Sequence, residues 1–506
     1  MSQLIVKEID LTCEYNQVIL NEKDFSKIKI DRGGKIQVKS INKTMIANSL
    51  TTMKLVSEGD IGLNDRIRKY LGVKEGDAVE VTAAKKPASI FLLKKKLHGE
   101  ELTHSEMTEI VKDIVSMSLS PVEMSAFVLA QHYQESSMTE VEYLTRAIAD
   151  TGIRIDFEEP VYDKHSIGGV PGNKVSLLIV PIIASMGLLI PKTSSRAITS
   201  PSGTADTFEV LAPVNFSAEE IKKLVKKTKG CLVWGGTLNI APADDILIEQ
   251  VEYPLGIDPE SQMLASIMSK KLAVGVDSLV LDVPIGANAK VKSKEAAAAI
   301  SRKFVELGER LKIRVEVGLT YGDQPVGHTI GPALEAKEAL EALMGVGTST
   351  SIVEKSTSLA GILLEMSGLA GRGGGQHMAS ECLNSGKALE KMREIIGNQG
   401  GNPDVKPEDI PLGGETEDVP APFSGYIVEV DNKALNQIAR AAGAPEHKGA
   451  GIYLYKKRGG YVKKGEPLIK IYAERSSKLS EALAIANKTN PLTIEGMLLK
   501  RVSALY

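Results

Sequence analysis

Cysteine is scarce in this sequence. Its 506 residues include three cysteines, which are far apart and form no C-x-x-C pair: Cys13, Cys231 and Cys382. This number and spacing fit neither a disulfide framework nor a cysteine-based zinc site. We therefore expect three reduced, mostly buried thiols in a cytoplasmic protein.

Aromatic side chains and net charge are also low. Phe, Trp and Tyr together make up 4% of the chain, so the cores must be built mainly from aliphatic side chains. The formal net charge of -3 argues against a protein that holds nucleic acid through bulk electrostatics. It leaves room for a local basic pocket that binds a small phosphate ester.

Long apolar runs are absent as well. Residues 1–11 contain three charged side chains where a signal peptide would have its apolar region. The longest apolar stretch, residues 175–190, is shorter than a membrane span and contains serine, proline and glycine. We therefore expect no membrane partner, and we interpret this stretch as a buried helix followed by a strand.

The composition changes several times along the chain, and a length of 506 residues predicts three or four compact units. Short strand-like runs separated by turns predict a small β-rich domain for assembly over residues 1–85. Three possible capping boxes predict a helical lobe over residues 86–160, which later helices of the chain complete. They begin at Thr103, Ser120 and Thr139, and Pro121 stands at a first helical position.

Alternating strand and helix patterns predict a parallel α/β lobe over residues 161–405. The predicted strands are 188–191, 231–234, 279–283 and 315–319, and the predicted helices are 174–186, 218–229, 260–272 and 295–311. Residues 406–420 are rich in proline, glycine and acidic residues, which indicates a linker. Residues 421–506 contain two segments similar to lipoyl-type β-hammerhead hairpins and predict an α+β domain. The fold class is therefore a multidomain combination of α/β and α+β parts.

The most informative run is DKHSIGGVPGNKVS, residues 163–176. Its glycines permit close backbone approach, and it leads into a predicted helix whose first N–H groups favour an anion. Lys164, Ser166, Lys174 and Ser176 add ammonium and hydroxyl groups. A structural glycine turn is the alternative, because a bare G-G-x-x-G pattern is weak. The flanking K-H-S and K-V-S favour the anion site.

Two further segments carry polar groups suited to a ligand. Residues 193–204, TSSRAITSPSGT, combine many hydroxyls with Arg196 and suit phosphate or ribose oxygens, although a polar surface loop explains them equally well. Ser266 and Lys270 are four residues apart and share one face of a predicted helix. Without further context, an amphipathic helix with a solvated lysine is the better interpretation of that pair.

Together these motifs resemble the thymidine/pyrimidine nucleoside phosphorylase superfamily. The matching strings are DKHSIGGVPGNKVS, SSRAITSPSGT, LASIMSKKLAVGVDSLVLDVPIG, YGDQPVGH, GPALEAKE and SGKALE. The resemblance covers approximately residues 90–490. The N-terminal unit, the inserted Pro171 and the strings SSRAITS and IGANAK are similar to the archaeal branch of this superfamily that acts on AMP.

The resemblance implies the nucleoside phosphorylase type II fold and a pentosyltransferase that converts AMP and phosphate into adenine and α-D-ribose 1,5-bisphosphate during nucleotide catabolism. It implies no cofactor, no metal and no nucleic acid, with phosphate as co-substrate, in a homodimer or larger homo-oligomer. The implied phosphate contacts are Lys164, Ser166, Gly168, Ser176 and Ser194. The implied nucleotide contacts are Gly169, Ser195, Arg196, Ala197, Ile198, Thr199, Ser200, Thr204, Ser266 and Lys290, with Lys270 on the base side.

The resemblance also assigns Asp258 as the proton donor to the leaving base. The pyrimidine enzymes hold the base with an arginine seven residues before this aspartate, and Val251 occupies that position here. The difference favours a purine, whose departure is helped by a proton at N7. Because a carboxyl that donates a proton at neutral pH must be shielded from water, we expect apolar neighbours such as Ile257 and Pro259 to bury Asp258. His165 could equally contact the ligand or pack behind it.

Three alternatives remain open at this stage. A thymidine or uridine phosphorylase would share most of the motifs. A phosphoribosyltransferase would share the lobes but normally needs an acidic metal site. A carrier protein would need a lysine displayed at a hairpin tip and flanked by methionine or aspartate, and residues 469–475 contain no lysine in that setting.

Overall fold

The structure is a computed structural model that describes residues 2–12, 16–28, 34–41, 43–197, 200–347 and 349–499. Cys13, Ile198 and Thr199, to which the sequence analysis assigned roles, lie outside the described residues. The chain divides into two compact units. The first contains Met1–Thr151 and Ala241–Ser266, and the second contains Gly152–Ile240 and Ile267–Tyr506.

Six strands of the described N-terminal residues form a closed barrel in the order β1-β5-β2-β4-β3-β6. Alternate side chains such as Ile36 and Val38 are fully buried inside it, as the pleat of a strand requires. Asn64 caps the second of two short helices by accepting a hydrogen bond from the Ile67 backbone N–H. The elements are β1 Ser2–Glu8, β2 Gln17–Asn21, α1 Glu22–Ile28, β3 Lys35–Lys39, β4 Thr44–Thr52, β5 Asp60–Leu63, α2 Asp65–Leu71 and β6 Ala78–Ala83.

Helices follow the barrel in the first unit: α3 Ser89–Leu97, α4 His104–Val115, α5 Pro121–Tyr133 and α6 Met138–Asp150. The predicted capping boxes are present at α4, where Thr103 pairs with Glu106, and at α5, where Ser120 pairs with Glu123. Each box satisfies two N-terminal N–H groups that the helix itself leaves without a partner.

The third predicted capping box is wrong. Ser137, rather than Thr139, caps α6 by accepting a hydrogen bond from the Glu140 backbone N–H. The carboxylate of Glu140 is buried and accepts hydrogen bonds from Lys96 Nζ at 2.6 Å and from the Leu102 N–H at 2.9 Å. When α6 begins after Ser137, the Ser137 hydroxyl caps the helix. The Glu140 carboxylate is then used for the buried contacts with Lys96 and Leu102.

The second unit begins with β7 Tyr162–Ser166, α7 Ser176–Ser185, β8 Ile190–Ser194, α8 Thr204–Phe208, α9 Ala218–Thr228 and β9 Gly230–Trp234. The first nine residues of α7 are buried, which confirms the predicted buried helix followed by a strand. Among the described residues, no helix is long and apolar enough to cross a membrane.

The chain then returns to the first unit with α10 Pro242–Leu247, a π-helical turn over Ile248–Glu252 and α11 Tyr253–Leu255. Leu247 and Val251 pack into the same apolar cluster as α3 to α6. The next helix, α12 Glu260–Ala273, crosses from the first unit into the second.

Parallel strands form the α/β part of the second unit. After α12 come β10 Ser278–Ile285, α13 Lys294–Leu311 and β11 Arg314–Tyr321. The strands β11-β10-β7 form one parallel sheet, and β8 pairs in parallel with β9. Residues 163–166, which the sequence analysis placed in a glycine-rich loop, are therefore part of β7. The charged side chains of this segment interrupt the apolar pattern that is typical of a buried strand. β7 lies at the edge of its sheet.

The remaining elements of the α/β part are β12 Thr329–Ile330, α14 Pro332–Leu343, α15 Thr350–Met366, α16 Gly375–Asn384 and α17 Lys387–Asn398. The C-terminal elements are β13 Glu415–Pro420, β14 Gly425–Val430, α18 Asn432–Ala441, β15 Gly451–Leu454, β16 Tyr461–Val462, β17 Pro467–Ala473, α19 Ser476–Thr489 and β18 Leu492–Glu495. They form the sheets β12-β15-β17-β13 and β16-β14-β18.

The segment interpreted as a linker contains a strand. Glu415–Pro420 forms β13, which pairs antiparallel with β17 at the edge of its sheet. Its first four residues are exposed. An edge strand tolerates proline and charge, because one side of its backbone has no neighbouring strand. The acidic, proline-containing composition is therefore compatible with a strand at this position.

Candidate active site

The candidate site lies at the carboxyl ends of β7 and β10, the edge at which parallel α/β sheets bind ligands. The register of the two strands places Ser166 directly opposite Asp282. Beyond the end of β7, the Ile167 N–H donates a hydrogen bond to the Asp282 carbonyl oxygen at 3.1 Å. The chain then turns through Gly168 and Gly169, both with a φ of +88°, which glycine adopts without a Cβ clash.

Asp163 is almost completely buried on β7 and holds two lysines. Its carboxylate accepts hydrogen bonds from Lys271 Nζ at 2.5 Å and from Lys192 Nζ at 3.2 Å, and it also accepts the Lys164 N–H at 2.7 Å. Lys192 Nζ additionally donates to the Lys164 carbonyl oxygen at 2.7 Å. These contacts fix Lys271 and Lys192 against β7.

Asp282 on β10 is fully buried, and its carboxylate contacts a second group of polar side chains. Lys355 Nζ lies 2.9 Å and Lys164 Nζ 3.9 Å from its Oδ2 atom. The Thr320 hydroxyl donates to Oδ1 at 2.6 Å, and Asn173 Nδ2 donates to Oδ2 at 3.1 Å. Burial alone would raise the pKa of Asp282, but the two ammonium groups and the Thr320 hydroxyl lower it to about 2.

The buried lysines on and beside β7 and β10 carry more positive charge than the two aspartates balance. Burial, together with the repulsion of Lys355, lowers the pKa of Lys164 to about 8 despite Asp282. Burial and the nearby Lys271 likewise lower the pKa of Lys192 to about 7 despite Asp163. Lysines desolvated in this way favour a bound anion, which would restore their charged form.

His165 lies beside the same lysines. Burial, followed in importance by Lys271 and Lys192, lowers its pKa well below the ordinary value. Its ring is therefore neutral at neutral pH. A neutral imidazole can donate one hydrogen bond and accept another, so it is compatible with either of the roles predicted for His165.

Ser166 is oriented with its hydroxyl proton unused by its neighbours. Its Oγ atom accepts hydrogen bonds from Asn173 Nδ2 at 3.1 Å and from the Gly168 N–H at 3.4 Å. Because both contacts use the oxygen lone pairs, the O–H proton can be donated to an anion. Ser176, the other predicted hydroxyl of this run, is buried at the first position of α7.

Lys174, which the sequence analysis added to the cations of this run, makes structural contacts. Its Nζ atom is 2.6 Å from Glu338 Oε2, and it donates to the Thr329 carbonyl and hydroxyl oxygens at 2.8 and 2.7 Å. Three acceptors use its three donors. Burial of the neighbouring Glu335 raises the pKa of that carboxyl to about 7.

The hydroxyl-rich second run is held by Asp206 on α8. The Asp206 carboxylate accepts the Ala197 N–H at 2.7 Å and the Gly203 N–H at 3.0 Å. Arg196 donates to Asp206 at 3.1 Å, pairs with Glu209 at 2.5 Å and stacks its guanidinium 4.7 Å from the Trp234 ring centroid. The charge of Arg196 is therefore already neutralised by two carboxylates of the protein.

The other hydroxyls of this run point to different partners. Ser194 donates to the Val233 carbonyl oxygen at 3.3 Å, and Ser200 donates to the Ser202 carbonyl oxygen at 3.2 Å. Ser195 is exposed, and Thr204 is the partly buried first residue of α8.

Two residues of the C-terminal region contact this run and the end of α8. Arg440 Nη1 on α18 donates to the Ser200 carbonyl oxygen at 3.0 Å, and Lys448 Nζ lies 2.8 Å from Glu209. The C-terminal region therefore braces the loop to which the sequence analysis assigned the nucleotide.

Gly169 and Lys290, two predicted nucleotide contacts that are far apart in the sequence, meet in the structure. A Cβ atom added to Gly169 would lie 2.7 Å from the Lys290 backbone nitrogen. The Lys290 side chain is exposed. The structure thus brings this pair together next to the turn that follows Ser166.

The remaining predicted residues lie on or before α12. Asp258 and the partly buried Ser266 belong to the first unit, and Lys270 belongs to the second. The expected burial of Asp258 is wrong, because the residue is exposed. Of the neighbours expected to cover it, Ile257 is partly buried and Pro259 is buried, but Asp258 between them is not. Val251, which replaces the family arginine, is fully buried among apolar side chains.

Sequence reasoning missed Asp282, Lys192 and Lys355, which complete the charged cluster. The available signal was a charged side chain inside a segment otherwise predicted to be buried, as in the run VLDVPI around Asp282. Such a charge needs a partner, so it marks a polar site. Among the described residues, no group of three or more His, Cys, Asp or Glu side chains forms that could hold a metal ion.

Three parts of the chain match families of known domains. Residues 158–389 match the a/b domain of a glycosyl transferase family, and residues 91–152 match the helical bundle domain of that family. Residues 426–493 match the pyrimidine nucleoside phosphorylase C-terminal domain. The predicted combination of a helical lobe, an α/β lobe and a C-terminal domain of this superfamily is confirmed.

Similar proteins of the same length are AMP phosphorylases. The one from Thermococcus kodakarensis is 49% identical over 498 residues, which cover 98% of this chain and 99% of that protein. The one from Methanococcoides burtonii is 49% identical over 503 residues and 99% of both chains. Among solved structures, anthranilate phosphoribosyltransferase from Thermus thermophilus has a TM-score of 0.50 and 21% identity, covering 61% of this chain and 98% of that one. That likeness concerns the fold.

Proposed function

We propose that this chain, which belongs to the family of AMP phosphorylases, cleaves the glycosidic bond of AMP with inorganic phosphate and releases adenine. The observation that carries the proposal is the buried charge on and beside β7 and β10. Four lysines contact two aspartates there: Lys164, Lys192, Lys271 and Lys355 against Asp163 and Asp282. The excess of cations suits a phosphate anion.

Phosphate would attack C1′ of the ribose from the face opposite the base, with inversion and an oxocarbenium-like transition state, by analogy with glycoside cleavage. Lys164 and the Ser166 hydroxyl would bind the phosphate and orient one oxygen towards C1′. The products would be free adenine and α-D-ribose 1,5-bisphosphate. No described group has to accept a proton from phosphate in this step, because a deprotonated phosphate oxygen is the nucleophile.

Asp258 would donate a proton to N7 of the leaving adenine. Asp258 is exposed, and in this proposal the bound nucleotide would shield its carboxyl from water. Ser266 and Lys270 would contact the nucleotide from α12, and Gly169 and Lys290 would do so from the turn after β7. The loop residues Ser194, Ser195, Ala197, Ser200 and Thr204 would complete the contacts, with Arg196 acting as a brace within the loop.

Val251 supports the choice of a purine nucleotide over a pyrimidine nucleoside. The pyrimidine enzymes of the resembled superfamily use an arginine at this position, and an arginine here would replace a fully buried side chain in an apolar cluster. Burying an unpaired guanidinium is strongly unfavourable, so the surrounding packing is built for an apolar residue.

The remaining proposals concern parts outside the catalytic residues. We expect the N-terminal barrel to serve assembly into a homo-oligomer and the C-terminal region, residues 421–506, to be a β-hammerhead-like domain that braces the nucleotide loop. Cys231 and Cys382 are buried free thiols, which supports a cytoplasmic location. No cofactor is proposed.

The test is to incubate the full-length protein with AMP or adenosine, with and without phosphate, and to quantify adenine. Adenine released from AMP, only when phosphate is present and hardly from adenosine, supports the proposal. Release from thymidine or uridine instead would return the protein to the pyrimidine nucleoside branch. Activity that is lost in EDTA and needs phosphoribosyl pyrophosphate would favour the phosphoribosyltransferase alternative.

A further inference from the structure

Lys355 is a buried lysine on α15 whose ammonium group has no complete set of partners. It is 7% exposed, and Asp282 Oδ2 lies 2.9 Å from its Nζ atom. Nevertheless, no acceptor among the described residues meets hydrogen-bond geometry with that Nζ atom. An ammonium group has three donors, and leaving them unsatisfied in the interior is costly.

Two other lysines of this cluster, Lys271 and Lys192, differ from Lys355 in this respect. Lys271 and Lys192 both donate hydrogen bonds to Asp163, and Lys192 also donates to the Lys164 carbonyl oxygen. Their ammonium groups are therefore held by the protein itself. Lys355 is ion-paired with Asp282, but no hydrogen bond of good geometry fixes its ammonium group, which can therefore donate to a further acceptor.

Shared contacts place Lys355 next to the groups assigned to phosphate. Asn173 Nδ2 bridges Asp282 Oδ2 and the Ser166 hydroxyl oxygen, at 3.1 Å from each. Lys164 Nζ lies 3.9 Å from the same Asp282 oxygen that Lys355 approaches. Lys355 and Lys164 therefore approach one carboxylate at the strand ends, and Asn173 connects that carboxylate to Ser166.

We propose that Lys355 donates hydrogen bonds to the phosphate co-substrate and is a binding residue for it. The inference rests on the proposed function, and it adds a residue that neither the glycine-rich run nor the hydroxyl-rich run contains. Lys164 and Lys355 together carry one more positive charge than Asp282 balances, and that excess favours a bound anion.

A purely structural role is the competing explanation, in which Lys355 only neutralises Asp282. The two roles are separated by Lys355→Met, Lys355→Arg, Asp282→Asn and the double variant Asp282→Asn/Lys355→Met. In the double variant the buried carboxylate has lost its charge, so its need for a counter-ion is removed. Comparing it with Asp282→Asn alone measures what Lys355 contributes to phosphate directly.

Steady-state kinetics with AMP and phosphate give the first readout. We expect Lys355→Met to raise the phosphate KM about 10- to 100-fold, the usual effect of losing a hydrogen bond between charged groups, and to change the AMP KM less than about twofold. Lys355→Arg should recover part of the loss. The double variant should keep the raised phosphate KM relative to Asp282→Asn. A normal phosphate KM in Lys355→Met, or in the double variant relative to Asp282→Asn, would overturn the proposal.

Thermal unfolding with inorganic phosphate alone gives a second readout that does not depend on turnover. Phosphate should raise the Tm of the wild-type protein and of Lys433→Met, a change at an exposed lysine of α18, but raise that of Lys355→Met much less. If the wild type is protected by phosphate but releases no adenine from AMP, the proposed function fails while the role of Lys355 in phosphate binding remains measurable. If Lys355→Met does not fold, the double variant and Lys355→Arg decide the question.

Discussion

The Gly169 backbone approaches Lys290 so closely that a Cβ atom at Gly169 would lie 2.7 Å from the Lys290 nitrogen and 3.0 Å from its Cβ atom. The two residues are separated by 121 positions in the sequence and belong to the segments that follow β7 and β10. The contact therefore holds the two turns assigned to the nucleotide close to each other. It leaves no room for a side chain at Gly169.

The first prediction follows from this contact. Gly169→Ala should weaken AMP binding at least about fivefold, because the new methyl group must push Lys290 away from the turn and the positive φ adds strain of about 1–3 kcal/mol. The matched control is Gly187→Ala, which has a similar φ of +84° but open space around its Cβ position. Equal AMP KM values in the two variants would contradict the prediction, because they would show that the Gly169–Lys290 contact does not affect AMP binding.

The second prediction concerns pH. In the free protein the pKa of Lys164 is lowered to about 8 and that of Lys192 to about 7, mainly by burial. An anion favours the protonated lysines, so phosphate binding should take up protons near pH 8 and weaken as the pH rises above that value. Calorimetric titrations of phosphate in buffers with different ionisation enthalpies measure the uptake directly. Binding without proton uptake at pH 8 would contradict the charge assignment.

The same pKa shifts determine how the free energy of unfolding changes with pH. The folded-state pKa of each lysine lies below the unfolded value of 10.5, so the unfolded chain binds more protons from about pH 7 to 10.5. The contribution of these lysines to the free energy of unfolding should therefore rise with pH over that range, and their burial should be least favourable below pH 7. Phosphate should stabilise the protein most on the acidic side of this window.

The third prediction concerns the brace from the C-terminal region. Arg440→Ala removes the hydrogen bond to the Ser200 carbonyl oxygen and should raise the AMP KM about fivefold, the usual value of one hydrogen bond, with little change in the phosphate KM. Lys433→Ala, an exposed residue of the same helix, is the control. A change confined to Tm would assign Arg440 to stability alone.

The fourth prediction tests the proton donor. Asp258→Asn should lower the kcat for AMP about 10²–10⁴-fold, the usual contribution of a general acid, because an amide cannot protonate N7. Glu260→Gln, a neighbouring exposed carboxylate on α12, should change kcat less than about twofold. Near-normal turnover in Asp258→Asn would remove this residue from the mechanism.

Most of the α/β elements could be predicted from sequence because their apolar periodicity is strong. Runs of buried aliphatic residues indicate β9 and β10, and Ser217 with Glu220 marks the start of α9. β7 and β13 could not be recognised in this way. Asp163 and Lys164 face partners that come from distant parts of the chain, and β13 is an exposed edge strand, so neither has the alternation of an ordinary strand.

The candidate site likewise contains some residues that the sequence predicts and others that it does not. The Gly168–Gly169 turn and the hydroxyls of residues 193–204 could be predicted, because short glycine-rich and serine-rich motifs can be recognised in the sequence itself. Lys355 could not, because a single lysine on a helix usually lies in solvent. Its burial depends on Asp282, a residue 73 positions away, and only the folded chain brings the two together.

The closed N-terminal barrel limits how this protein can associate with other copies. β1 and β6 pair with each other, so the described strands present no unpaired edge to which a strand of another chain could add. Any intersubunit contact through the barrel must therefore be made by side chains. The exposed Leu50, Met53 and Leu55, at and just beyond the end of β4, offer an apolar surface of that kind.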